Sequence, residues 1–148
     1  MRGRAAAIAG LALMLASAPG LAQTVGACDW RGQAAMIPEP WEENSRTFAN
    51  GAVRIALSDP GEPPCCSASL IVLVPGEIYG RSCFIVRDEE IGWWDVDIAG
   101  VTAQYDPARG LLLSVPVVSP HPLGGADRES ARVIALRVNQ AEGSVTLE

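Results

Sequence analysis

Leu70-Ile71-Val72-Leu73-Val74 is apolar at every position. Strand side chains alternate between the two faces of a sheet. Read as a strand, this run is covered on both sides and sits in the middle of a sheet. The other apolar segments are short and cut by glycine and proline, and no stretch after residue 22 keeps a helical period. Residues 46–49 and 52–59 flank Asn50-Gly51, the strongest short hairpin signal. In the second of these, Val53, Ile55 and Leu57 alternate with Arg54, Ala56 and Ser58, the pattern of a strand with one wet face. Residues 81–87 and 91–98 read as further strands around the acidic turn Asp88-Glu89-Glu90. Residues 28–44 read as irregular, with one helical turn near 33–36 ended by Pro38 and Pro40.

Two late hairpins share a spelling. Tyr105-Asp-Pro-Ala-Arg-Gly110 precedes a strand over 111–118, and Val138-Asn-Gln-Ala-Glu-Gly143 precedes one over 144–148. Each reads as a four-residue loop whose final glycine takes a left-handed conformation. In the second, this register sets Val138 against Val145 and Leu136 against Leu147. Ser119-Pro-His-Pro-Leu-Gly-Gly125 reads as a stiff loop. About eight short strands at regular spacing predict an all-β domain, an antiparallel sandwich or small barrel.

That domain follows an export signal. Arg2 and Arg4 give a positive start, residues 5–16 are an unbroken apolar run, and Gly20-Leu21-Ala22 offers small residues for cleavage. The run is too short for a bilayer, which needs about 20 apolar residues, and no later segment is long enough to span. Residues 1–22 are therefore expected to be a signal peptide and residues 23–148 a single mature domain, periplasmic or secreted. A rival reading takes Val25-Gly26-Ala27-Cys28 as a lipobox with a lipid anchor on Cys28. Against it, Pro19, Gln23 and Thr24 separate the apolar run from that cysteine, and acylation would leave three cysteines, an odd number.

The chain carries 17 acidic and 11 basic residues. Arg2 and Arg4 leave with the signal, so the mature domain has nine against 17, a formal charge of −8. Such a chain repels nucleic acid, which needs a basic footprint. Four cysteines, Cys28, Cys65, Cys66 and Cys83, in an exported chain suggest two disulfides. General frequency favours Cys28 and Cys83 each bonding one of the neighbours Cys65 and Cys66, because bridges between adjacent residues are rare. Local geometry points the other way. In a tight hairpin Cys83 falls opposite Val72, about 20 Å from Cys66 at roughly 3.3 Å per residue, which favours Cys28–Cys83.

Cys28-Asp-Trp-Arg, Thr47-Phe-Ala-Asn-Gly-Ala-Val-Arg and Tyr105-Asp-Pro-Ala-Arg-Gly-Leu-Leu-Leu resemble runs in small uncharacterised exported bacterial proteins. The resemblance covers most of the mature chain and brings no function with it.

His121 is the only histidine. A Ser-His-Asp or Cys-His site would have to use it, yet it lies between two prolines with no oriented partner nearby in sequence. No catalytic residue is assigned. The cysteines lack the paired spacing of a zinc site. Asp95, Asp97, Gly100 and Asp106 fit positions 1, 3, 6 and 12 of a calcium loop, but Ala99 and Ala103 occupy positions 5 and 9, so no metal or cofactor is expected. Within 93–98, alternation places Trp94, Val96 and Ile98 inward and Trp93, Asp95 and Asp97 outward. An exposed ring beside two carboxylates suits a saccharide. The carboxylates would lie about 7 Å apart along the strand, near the spacing of an inverting glycosidase, although side by side rather than across a cleft. The chain thus reads as a non-enzymatic envelope or secreted module that binds a protein or saccharide partner or serves a structural role. The alternatives are a carboxylate-using hydrolase acting on saccharide at Trp93, Asp95 and Asp97, and a lipid-anchored envelope component.

Overall fold

The structure, a computed structural model, describes residues 23–76, 78–89, 91–120 and 130–148, with Ser130 as backbone alone. The segment expected to be a signal peptide, residues 1–22, and His121 lie outside the described residues. Within them the chain is all β, with ten strands: β1 (Gln23–Ala27), β2 (Ser45–Phe48), β3 (Val53–Ser58), β4 (Ser69–Pro75), β5 (Arg81–Asp88), β6 (Asp95–Val96), β7 (Thr102–Asp106), β8 (Gly110–Ser119), β9 (Ser130–Asn139) and β10 (Ser144–Leu147). They form two antiparallel sheets, as the strand pattern predicts. The first runs β1-β5-β4-β3-β2. The second runs β10-β9-β8, with β6 and β7 sharing the remaining side of β8.

Alternation builds the core between the sheets. Val53, Ile55, Leu70, Val72, Val74 and Val86 of the first sheet pack against Leu113, Val115, Val117, Leu136 and Val138 of the second. Each such side chain contributes about 1.5–3 kcal/mol relative to exposure. As expected, β4 is covered on both faces. Ile71 faces away from the main core and joins Ala56 and Ile85 in a second, smaller cluster. The cover comes from the segment after β1, which carries two single 3-10 turns, Trp30–Gly32 and Ala34–Met36. Ile37 and the Cys28–Cys83 pair pack onto that cluster. The outer face of β3 is therefore not wet: Ala56 and Ser58 are buried, and only Arg54 is exposed.

The hairpins depart from expectation in detail. Phe48 pairs with Val53, so the loop around Asn50-Gly51 has four residues rather than two. Ala49, Asn50 and Gly51 all take positive φ. The β9–β10 register is the expected one, with Val138 opposite Val145 and Leu136 opposite Leu147. In the β7–β8 hairpin Asp106 pairs with Gly110, leaving a three-residue loop. Asp106 Oδ1 tightens it by accepting from the Ala108 and Arg109 amides at 2.8 and 3.2 Å. Gly110 has φ +90°, and a Cβ there would stand 2.4 Å from the Val138 carbonyl oxygen.

Polar groups tie the sheets together. The Arg46 guanidinium donates to the carbonyl oxygens of Ile98, Ala99 and Val101 at 3.3, 2.9 and 2.6 Å. Elsewhere Asp88, expected in the turn after residues 81–87, ends β5 as a buried residue. Its Oδ2 accepts from Ser119 Oγ and Arg132 Nη2, each at 2.7 Å.

The disulfides are Cys28–Cys83 and Cys65–Cys66. Two bridges between distant residues do not form. Cys83 pairs across the hairpin with Leu73, one place from the expected Val72. That still leaves it remote from Cys66, whereas β1 running beside β5 delivers Cys28 to a Cα separation of 5.3 Å.

Candidate functional site

The segment holding Trp93, Asp95 and Asp97 does not form one continuous strand. Trp93 makes an isolated bridge with Ala68, Trp94 occupies a bend, and only Asp95 and Val96 are in strand β6. The bend costs the alternation one step. Trp93 is fully buried, and Trp94 is the exposed tryptophan. This reverses the expected assignment. The local cause is Gly92, whose φ of +117° and close approach to the Ala68 carbonyl turn the chain so that Trp93 enters the core. Trp93 thus offers no surface to a ligand. Beyond the bend the pattern holds, with Val96 and Ile98 inward and Asp95 and Asp97 exposed.

Asp95 and Asp97 line an open groove of about 640 Å³ where the edge of β6 approaches the segment before β2. Glu42, Glu43, Asn44 and Arg46 also line it, so acids stand on both walls. One oxygen of each aspartate accepts from a nearby amide: Asp95 Oδ1 from its β6 neighbour Val96 at 2.8 Å, and Asp97 Oδ1 from Gly100 across a turn at 2.9 Å. The second is the ordinary turn chemistry of aspartate. Asp106, the last member of the calcium-loop spacing, caps the separate β7–β8 turn instead. Among the described residues no group of three or more His, Cys, Asp and Glu side chains is placed to hold a metal, and no helix is long and apolar enough to cross a membrane.

A second site lies on the outer face of the first sheet. Residues Ala56, Ile71 and Leu73 form an apolar floor, Ile37 and Trp41 stand on the covering segment, and Thr47 and Arg54 close the rim of a pocket of about 340 Å³. Strand register assembles the rim, because Arg54 is flanked by Thr47 on β2 and Leu73 on β4. Trp41 is half exposed. The covering segment is pinned in several places. Ser58 Oγ donates to the Arg31 carbonyl at 2.8 Å, the Asp59 amide to Met36 at 2.9 Å, and Asn44 Nδ2 to Pro38 and Pro40, each at 3.1 Å. The Cys28–Cys83 bridge fixes its start. That bond also occupies the sulfur a lipid would need, which removes support for an anchor on Cys28.

Reading the sequence missed this pocket, yet one signal pointed to it. A β4 strand apolar on both faces needs cover on its outer side, and the irregular segment 28–44 was the stretch left without a place in a sheet.

Comparison with known proteins gives no match: no family model, no curated protein sequence and no solved structure is significantly similar to the chain.

Proposed function

We propose that the chain is an exported, disulfide-braced β-sandwich that binds a small ligand in the pocket beneath residues 28–44 and does not transform it. The observation carrying this reading is the pocket itself: an apolar floor with an aromatic wall and a few polar groups at its rim, the composition typical of ligand sites. It is held by the bridge and hydrogen bonds described above, and preformed sites lose less entropy on binding. Export is supported by the three-part N-terminal signal and by cysteines that are all paired as disulfides, the state favoured outside the cytoplasm.

The test is a thermal-shift screen of the mature chain, residues 23–148, against small apolar and amphipathic compounds, beside Ala34→Trp. Ala34 is an exposed pocket residue, so a tryptophan there obstructs the mouth with little cost to folding. Stabilisation of the parent chain that disappears in Ala34→Trp supports the reading. Stabilisation that survives the block, or chemical turnover of the bound compound, overturns it. Export is tested by sequencing the mature N-terminus: Gln23 is expected, and a lipid-bearing Cys28 would move the protein to the anchored class.

A second reading places a saccharide in the acidic groove, with or without hydrolysis. Acids on both walls favour it.

A further inference from the structure

We propose that the pocket beneath residues 28–44 selects small aromatic carboxylates, with Arg54 holding the carboxylate and Trp41 covering the ring. The inference deepens the binding function proposed above and rests on it. It follows from charge. The mature chain has nine arginines against 17 acids, so a cavity of random lining would be acidic, as the groove at Asp95 and Asp97 is. The pocket inverts that balance: Arg46 and Arg54 line it, and no aspartate or glutamate does.

The two arginines are not equivalent. The Arg46 side chain is spent on the carbonyls of Ile98, Ala99 and Val101 and on the face of Phe48, 5.1 Å from its ring centroid. Arg54 is exposed and, among the described residues, its side chain makes no hydrogen bond or ion pair. Its strand neighbour Thr47 likewise leaves its hydroxyl uncommitted there. A planar guanidinium matches a carboxylate with two parallel hydrogen bonds, and the Thr47 hydroxyl can donate a third.

The rest of the lining sets what carries the carboxylate. Ala56, Ile71 and Leu73 give a smooth aliphatic floor without a buried donor or acceptor. A sugar or a peptide backbone laid there would lose its hydrogen bonds to water without replacement. A flat apolar body loses none. Trp41 adds an aromatic face at the mouth, and offset aromatic pairs contribute beyond simple area burial. About 340 Å³ accommodates one or two fused rings.

The experiment titrates the mature chain with 2-naphthylacetate and with its uncharged amide, 2-naphthylacetamide, by calorimetry. The acid is expected to bind at least tenfold more tightly than the amide. In Arg54→Gln that preference falls to within about twofold, because the acid loses far more affinity than the amide. Circular dichroism and melting temperature verify that Arg54→Gln is folded, as an exposed position predicts. Equal binding of acid and amide, or an acid preference that survives Arg54→Gln, overturns the carboxylate assignment and leaves the pocket as a neutral apolar site. Binding of both compounds that is untouched by Ala34→Trp overturns the pocket itself. If neither compound binds the parent chain, the aromatic-carboxylate assignment fails, while the broader screen still judges the binding function.

Discussion

The guanidinium of Arg46 on β2 donates at 2.6 Å to the carbonyl oxygen of Val101, 55 residues further along the chain. Val101 lies in the link between β6 and β7, so this one side chain fastens the edge of the first sheet to the edge of the second. The opposite side is closed differently, with β1 lying against β10. Arg46 also separates the acidic groove from the apolar pocket, since it lines both. Hydrogen bonds to a charged donor contribute about 1.5–3 kcal/mol when buried, and these three share one nitrogen at a partly exposed edge, so their contributions do not add. Arg46→Leu is therefore expected to lower unfolding free energy by about 2–3 kcal/mol in urea titrations. A loss below about 0.5 kcal/mol would mean that the edge is held by packing alone.

Trp93 and Trp94 should behave oppositely on truncation. Trp93→Ala empties a fully buried aromatic site and is expected to cost about 3–5 kcal/mol. Trp94, 39% exposed in its bend, should cost about 1 kcal/mol or less as Trp94→Ala. Denaturation of the two single variants reads this directly, and the reverse order would restore the regular alternation that the sequence pattern suggested.

Much of the fold was legible because it rests on period-two alternation, as in β3, β4 and the β9–β10 hairpin. The failures share a cause. Each lies where one backbone conformation displaces the period: Gly92 at φ +117°, Ala49 at φ +51° before Asn50-Gly51, and the three-residue loop that makes Gly110 pair with Asp106. Periodicity carries no information about such single residues. β1 and the covering segment were missed for another reason. Their positions come from contacts with β5 and the bridge to Cys83, which are set by tertiary structure. At the candidate sites, the exposed aspartates Asp95 and Asp97 were legible, but Arg54 and Trp41 acquire meaning only when register and cover bring them to one pocket.

Peptide mapping under non-reducing conditions should recover Cys28 joined to Cys83 and no free thiol. The bridge closes a 55-residue separation, which in chain-entropy terms stabilises by about 4 kcal/mol. The paired variant Cys28→Ser, Cys83→Ser should lose stability of that order. It should also lose ligand binding more steeply than stability alone explains, because the covering segment is released. Recovery of Cys65 or Cys66 joined to Cys28 or Cys83 would contradict the structure.

Acidification should act in part through Glu148. Its carboxyl is held below the usual carboxylate range by hydrogen bonding to Arg137, with Arg109 assisting, and Arg137 is raised in turn by the same bond. A carboxylate with a lowered folded-state pKa contributes stability above its unfolded pKa, near 4.3. That contribution disappears as pH falls through the folded value. Glu148→Gln should therefore reduce stability at neutral pH and flatten its decline below about pH 4.3. Parallel pH–stability curves for parent and variant would show that the contact contributes nothing.

Amide chemical-shift mapping of residues 23–148 during titration with 2-naphthylacetate distinguishes a ligand seated beneath residues 28–44 from one in the acidic groove. Saturable shifts are expected to cluster at Ala34, Trp41, Thr47, Arg54, Ala56 and Leu73, with Asp95, Asp97 and Ala99 unmoved. Shifts centred on Asp95, Asp97 and Ala99, with the β3 and β4 positions silent, would contradict a seat beneath residues 28–44.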